Sequence, residues 1–298
     1  MKNEIDLMII GAQKAGTTSL NRYLSQHPKI YTHYTQEFGM FSSIENYEKG
    51  LAYYIDQCVS DERKKLDDDF MFFAKTVGLM YKPELLNKLR GINPDIKVVL
   101  VLRNPIERAF SAFWYCKKNG LEPYDTFKDA IYVNDPGRFK NERFQLDCDY
   151  IGRSKYSVHL KNVYSIFPAE NVKILLFEEM ITDLNKYLNE ICHFKQLDQF
   201  EFNTSIKYNE GGTPKSVFLS RLLSPGKNTI FKNILSLKNR TKLKQVLKSS
   251  NSRSGVSAPK EKMDKDVRKY LQNVFREDVE DLANNIKLPI KSYWKEFF

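Results

Sequence analysis

The stretch Ile9–Leu20, Ile-Ile-Gly-Ala-Gln-Lys-Ala-Gly-Thr-Thr-Ser-Leu, constrains the fold more than any other part of the chain. Before it, the run Glu4–Ile10 is mostly apolar and closes on a glycine, which suits a buried parallel strand. After it, apolar positions at Leu20, Tyr23 and Leu24 predict a helix over Gly16–Gln26 that ends before His27-Pro28. Gly11 and Gly16 frame the turn between them. Glycine readily reaches the backbone angles that let successive N–H groups converge on an anion at a helix start. The turn therefore reads as a phosphate cradle, to which Lys14, Thr17 and Thr18 add a positive charge and two hydroxyls.

The lysine is displaced from its usual place. In the phosphate loop of ATPases and kinases a lysine directly follows the second glycine. Here Gly11 and Gly16 keep that spacing, but Thr17 follows Gly16 and the lysine lies inside the loop. A second apolar run, Ile96–Leu102, is the clearest parallel-strand signal in the chain and ends in Arg103-Asn104-Pro105. A magnesium-dependent kinase of this type would carry a metal-holding aspartate at such a strand end. An arginine stands there instead, with Ser111 eight residues later on a predicted helix. A guanidinium fork fits a terminal phosphate with two parallel hydrogen bonds, and a serine hydroxyl adds another donor. The plain alternative for Arg103 is an ion pair with a carboxylate such as Glu107.

With Lys14 inside the loop and the Arg103 to Ser111 spacing, the chain resembles the sulfotransferases that use 3′-phosphoadenosine 5′-phosphosulfate (PAPS), particularly the heparan-sulfate-type and bacterial branches. The resemblance covers roughly residues 5–216 and the final helix. It implies an α/β, P-loop-like three-layer fold with a central parallel sheet flanked by helices. It also implies PAPS as co-substrate, with no metal. Lys14, Ala15, Gly16, Thr17, Thr18 and Ser19 would hold its 5′ end, and Arg103 and Ser111 its 3′-phosphate. Ser154 and Tyr156, near a helix start, would help enclose the nucleotide. Gly211, Gly212 and Lys215 lie on a glycine-rich turn that closes over the adenosine in relatives, with an ordinary surface turn as the alternative.

Three residues would carry the chemistry on the same footing: Lys14, Glu37 and Lys75. Glu37 falls on the family's general base, and Phe38 and Phe41 would raise its pKa toward neutrality. Without the resemblance a lone glutamate reads as a solvated charge, and His33 is the next candidate base. Lys75 falls on the lysine of a Glu-Lys-Thr-Pro strand end, but Ala74 and Val77 replace the flanking residues, which points to a different acceptor pocket. The implied reaction is in-line transfer of a sulfuryl group to a hydroxyl or amine of a small-molecule acceptor. Two readings from other classes stay open: a P-loop small-molecule kinase, and a basic polyanion-binding protein.

The polyanion reading rests on charge placement. The chain has 298 residues and a formal charge of +10, yet residues 211–260 hold eleven basic and no acidic side chains. That segment alone carries the excess, as a solvated basic stretch or as an attractor for anions. No nucleic-acid-binding module accompanies it. The expected organisation is one domain over 1–298, with the basic insertion at about 217–260 and a C-terminal helix at about 262–286. Further expected elements are strands over Phe70–Thr76 and Asn171–Phe177, helices over Pro83–Arg90, Asp125–Val133 and Asp183–Phe194, and a polar connection over Asp135–Asp149. A helix from Gly152 to Pro168 completes the set. No apolar run reaches the ~20 residues a membrane span needs, and the N-terminus lacks a signal-peptide pattern. The expectation is a cytoplasmic protein without stable membrane insertion, whose four cysteines are free thiols. Oligomeric state is left open.

Overall fold

The structure is a computed structural model and describes residues 4–33, 35–58, 70–133, 142–205 and 262–298. Five strands form one sheet: β1 Leu7–Gly11, β2 Ile30–Thr32, β3 Met71–Lys75, β4 Lys97–Leu102 and β5 Val172–Leu176. Their order is β2-β3-β1-β4-β5, and every neighbouring pair is parallel. Parallel strands covered on both faces read as continuous apolar runs. Leu7 to Ile10 and Val98 to Leu102 are all 0% exposed, which is why those two strands were the plainest in the sequence. β2 is only three residues long, too short to show a period.

Helices α1 Thr17–Leu24, α2 Pro83–Ile92, α3 Tyr156–Ile166 and α4 Leu184–Phe194 frame the sheet. From β1 the chain crosses to β2 and β3 on one side; from β3 it crosses back past β1 to β4 and then β5. Right-handed crossovers in opposite directions put their helices on opposite faces. In keeping with this, α1 packs with α4, and α2 packs with α3. The adjacent strands β1 and β4 therefore form the topological switch point, the crevice where open α/β sheets bind ligands beyond the carboxyl ends of their strands.

β1 leaves its ladder at that edge. Ile9 pairs with Lys75 of β3, the register with β4 shifts between Ile9 and Gly11, and the next amide, Ala12 N–H, bonds to Val101 O at 2.9 Å. A Cβ on Gly11 would lie 2.0 Å from Met80 Sδ and 2.8 Å from its Cγ. Only a residue without a side chain fits beside the fully buried Met80.

By contact, the chain divides into two units. The first holds Met1–Asn104, Lys155–Asn209 and Arg276–Phe298, including the whole sheet; the second holds Pro105–Ser154 and Glu210–Phe275. Helices Pro105–Lys118, Phe127–Val133 and Glu142–Asp147 belong to the second, the last within the stretch expected to be a polar connection. Helix Lys265–Asn284, close to its expected bounds, buries Val267, Leu271, Phe275, Val279 and Leu282 along one face.

The cysteine expectation is overturned. Cys116 and Cys148 are joined as a disulfide, while Cys58 and Cys192 are free. The pair is 32 residues apart in sequence, and what brings it together is packing of helix Pro105–Lys118 along the segment after Asp147, where Arg108 donates to Asp149 O and Tyr150 O. Such a bond is uncommon in a reducing cytoplasm. Among the described residues no helix is long and apolar enough to cross a membrane.

Gly11→Ala is expected to cost ~1–3 kcal/mol, the usual penalty of overpacking. In urea denaturation the substitution should couple with Met80→Ala by at least ~0.5 kcal/mol; additive effects would show that Met80 is not the obstruction.

Candidate active site

The first unit gathers the ends of all five strands on one edge of the sheet. After β1, Lys14 and Gly16 both take left-handed backbone angles, φ +70° and +78°. Gly16 also could not carry a side chain without meeting the Phe177 ring, 3.0 Å from a hypothetical Cβ. α1 starts directly at Thr17, and no side chain caps it at Gly16. The first amides of a helix find no carbonyl within it, so this start is a ready acceptor of negative charge.

Arg103, just past β4, leans over that loop. Its Nη1 donates to Lys14 O at 3.2 Å, and its guanidinium lies 4.9 Å from the centre of the Phe177 ring. Its carbonyl accepts from Tyr156 Oη at 2.9 Å. The next residue is tied down too: Asn104 N–H donates to Glu178 Oε1 at 2.8 Å, and the Trp294 indole N–H holds Glu178 Oε2 at 3.2 Å. A guanidinium has five N–H donors, and one serves Lys14 O, so its fork remains suited to an anion. The Glu107 alternative is not realised: Glu107 pairs with Arg268.

Glu37 and Lys75 meet directly. Lys75 Nζ lies 2.6 Å from Glu37 Oε1, and Val77 N–H donates to Oε2 at 2.9 Å. The burial is one-sided, with the lysine side chain 1% exposed and the glutamate 38%. Burial lowers the Lys75 pKa, and the opposing pull of Glu37 is the smaller effect. Instead of standing among Phe38 and Phe41 alone, the carboxylate is held by an ion pair and a backbone amide. An ionised carboxylate offers about four lone-pair positions; these contacts use two, and the exposed side can receive a proton. Lys75 is enclosed, with its ammonium on Glu37.

His33 lies behind this pair, 3% exposed. Its Nε2 accepts from Lys75 N–H at 3.0 Å and its Nδ1 contacts Thr35 Oγ1 at 3.0 Å. Both ring nitrogens are thereby occupied, which removes it as an alternative base. Its pKa is pulled down to about 4, first by burial and then by the Lys75 charge.

The other expected residues divide clearly. Ala15 and Thr17 are buried, and Thr18 and Ser19 half-buried on the first turn of α1. Ser111 is half-buried on helix Pro105–Lys118 of the second unit. Ser154, expected to enclose the nucleotide, is 0% exposed; Arg108 Nε donates to its hydroxyl at 2.7 Å, and that hydroxyl contacts Pro105 O and Tyr150 O. It braces the second unit instead. Tyr156 is also enclosed and acts through the Arg103 carbonyl. Gly211, Gly212, Lys215 and the basic segment lie outside the described residues. Phe177, Glu178 and Trp294, which support Arg103 and Asn104, join segments far apart in sequence, and no local pattern marks them for this site. A cavity of about 410 Å³ beside α4, lined by Asn185, Asn189, Gln199, Phe200 and Glu201, contains none of these side chains.

The family model for the sulfotransferase domain matches residues 4–283. The chain belongs to the sulfotransferase domain family. The chain is 24% identical over 232 residues to bifunctional heparan sulfate N-deacetylase/N-sulfotransferase 1 of Caenorhabditis briggsae, covering 74% of this chain and 25% of that protein. With the human protein of the same name the identity is 25% over 230 residues, again 74% and 25%. The chain thus spans about a quarter of the length of these relatives. A sulfotransferase from Alicyclobacillus acidocaldarius superposes with a TM-score of 0.55 at 25% identity, over 70% of this chain and 87% of that one. The parallel sheet with flanking helices is the three-layer α/β fold that the resemblance implied.

Because His33 stays neutral in the folded chain down to about 4, the unfolded chain binds the extra proton first, near pH 6.5. Stability should therefore fall as pH drops from about 6.5 to about 4, by up to ~3 kcal/mol from this residue. Burial lowers the His27 pKa in the same sense. Urea denaturation at stepped pH should show the slope, and His33→Gln should flatten it; an unchanged slope would remove the assignment.

Proposed function

We propose that this sulfotransferase moves the sulfuryl group of PAPS to a hydroxyl or amine of a small-molecule acceptor, with Glu37 as general base. The observation that carries the reading is the Glu37 carboxylate, fixed by Lys75 Nζ and Val77 N–H at the carboxyl edge of the sheet and still 38% exposed. The residues present fit the nucleotide: a helix start uncapped at Gly16, a glycine that a Cβ would force against Phe177, and an arginine fork above the loop. When bound, PAPS supplies a sulfuryl group that the acceptor oxygen or nitrogen takes as the bond to the 5′-phosphate oxygen breaks.

The chain's own groups then have distinct tasks. The loop amides and the Thr17 and Thr18 hydroxyls hold the 5′ end, and the Lys14 ammonium balances charge there. Arg103 takes the 3′-phosphate through its fork. Ser111 joins the reading on its sequence spacing alone. Glu37 accepts the acceptor's proton, and Lys75 keeps the carboxylate oriented. The exchange of the Glu-Lys-Thr-Pro flanks for Ala74 and Val77 supports an acceptor unlike the polysaccharide of the named relatives.

Adenosine 3′,5′-bisphosphate should raise the melting temperature without magnesium; no shift at millimolar concentration, with ATP and magnesium stabilising instead, would favour the kinase reading. Glu37→Gln should lower kcat by ~10²–10⁴, the usual share of a general base, while leaving bisphosphate affinity within a factor of two. A Glu37→Gln enzyme of near wild-type kcat would end the base assignment. Lys14→Ala should lower kcat by a comparable factor.

A further inference from the structure

We infer that His33 is a positioning residue of this enzyme, fixing the main chain of Lys75 and Glu37 so that their side chains meet in the orientation the reaction uses. The inference rests on the proposed roles of Glu37 and Lys75 and goes beyond them. Hydrogen-bond direction carries it. Nε2 of His33 faces the amide of Lys75 at 3.0 Å. An amide can only donate, so Nε2 must accept, and the proton of the neutral ring sits on Nδ1. Nδ1–H then donates to Thr35 Oγ1 at 3.0 Å, and the Thr35 hydroxyl proton goes to Glu37 O at 2.8 Å.

The circuit closes on the other side of the strand end. Phe38 N–H donates to Lys75 O at 2.8 Å, and Thr76 Oγ1 donates to Phe38 O at 3.1 Å. The amide and carbonyl of Lys75 are thus pinned to His33 and Phe38, and the carbonyl of Glu37 to Thr35. The imidazole is itself held: its ring centre lies 5.6 Å from that of Phe38, which packs edge-on against Tyr54 and Phe72. His33 and Thr35 therefore link the end of β3 to the backbone of the proposed base. The Lys75–Glu37 contact is a point charge on a flexible stem, and a fixed backbone at both of its ends is what keeps it at one geometry.

Kinetics of paired variants test this. His33→Leu removes the acceptor for Lys75 N–H and the donor to Thr35. It should lower kcat ~10–100-fold, with KM for PAPS and the affinity for adenosine 3′,5′-bisphosphate within twofold of wild type. His33→Gln places an amide oxygen near the Nε2 position and should recover most of the loss, whereas His33→Asn, which reaches only the Nδ1 position, should not. Thr35 is exposed, so Thr35→Val provides a version that does not depend on a core substitution folding; it should lower kcat several-fold, and Thr35→Ser should restore it. Wild-type kcat in both His33→Leu and Thr35→Val overturns the inference, as does rescue by Asn instead of Gln, or a PAPS KM that rises as kcat falls. If Glu37→Gln itself keeps its activity, the reading of Glu37 as base has failed; if Glu37→Gln is inactive while His33→Leu and Thr35→Val are both unaffected, only the positioning role has failed.

Discussion

β1 is hydrogen-bonded to parallel strands on both sides and buried on both faces, and the site follows from the way it must end. A strand so enclosed cannot turn aside within the sheet. It leaves over the carboxyl edge, in a turn tight enough to need Gly11 against Met80 and Gly16 against Phe177. That turn delivers the chain straight into α1, whose first amides point back toward the strand ends. β3 and β4, the partners of β1, bring Lys75 and Arg103 to the same edge because their registers with β1 are fixed by pairing. The positions of Gly16, Lys75 and Arg103 are therefore consequences of one central strand.

The parts of this arrangement that are local in sequence were legible beforehand. The loop Gly11–Gly16, the arginine after β4 and the final helix each show a pattern within about twenty residues, and each stands where the pattern placed it. Contacts that join distant segments left no such trace. Glu178 reaches both Asn104 and Trp294, Asp278 caps the start of α3 through Tyr156 N–H and Ser157 N–H, and Cys116 finds Cys148. Ser154 shows the opposite error. Its position near a helix start resembled a ligand contact, but a serine hydroxyl satisfies a buried guanidinium equally well, and only the neighbourhood of Arg108 decides between them.

The Lys75–Glu37 pair is lopsided. Its cation is sealed in and its anion faces outward, so the two members are not interchangeable in their effect on the fold. Removing the carboxylate leaves a buried ammonium with no counter-charge, a costly state, whereas an amide at the same place still accepts its hydrogen bond. The pair thus serves stability through the lysine and, in the proposed reaction, proton transfer through the glutamate. A lone base would have to be oriented by its surroundings alone; here the surroundings include a charge that solvent cannot screen.

Near the end of the chain, the Trp294 indole grips Glu178, and Glu296 accepts from the Asn104 side-chain amide across 192 positions of sequence. Arg103 therefore owes its footing to residues synthesised long after it. On the ribosome, the sheet and the glycine loop can emerge before Trp294 and Glu296 reach Glu178 and Asn104, so the proposed nucleotide site would gain this clasp late. In the proposed function, nucleotide bound at the site would in turn favour the state in which these contacts are made, by simple mass action.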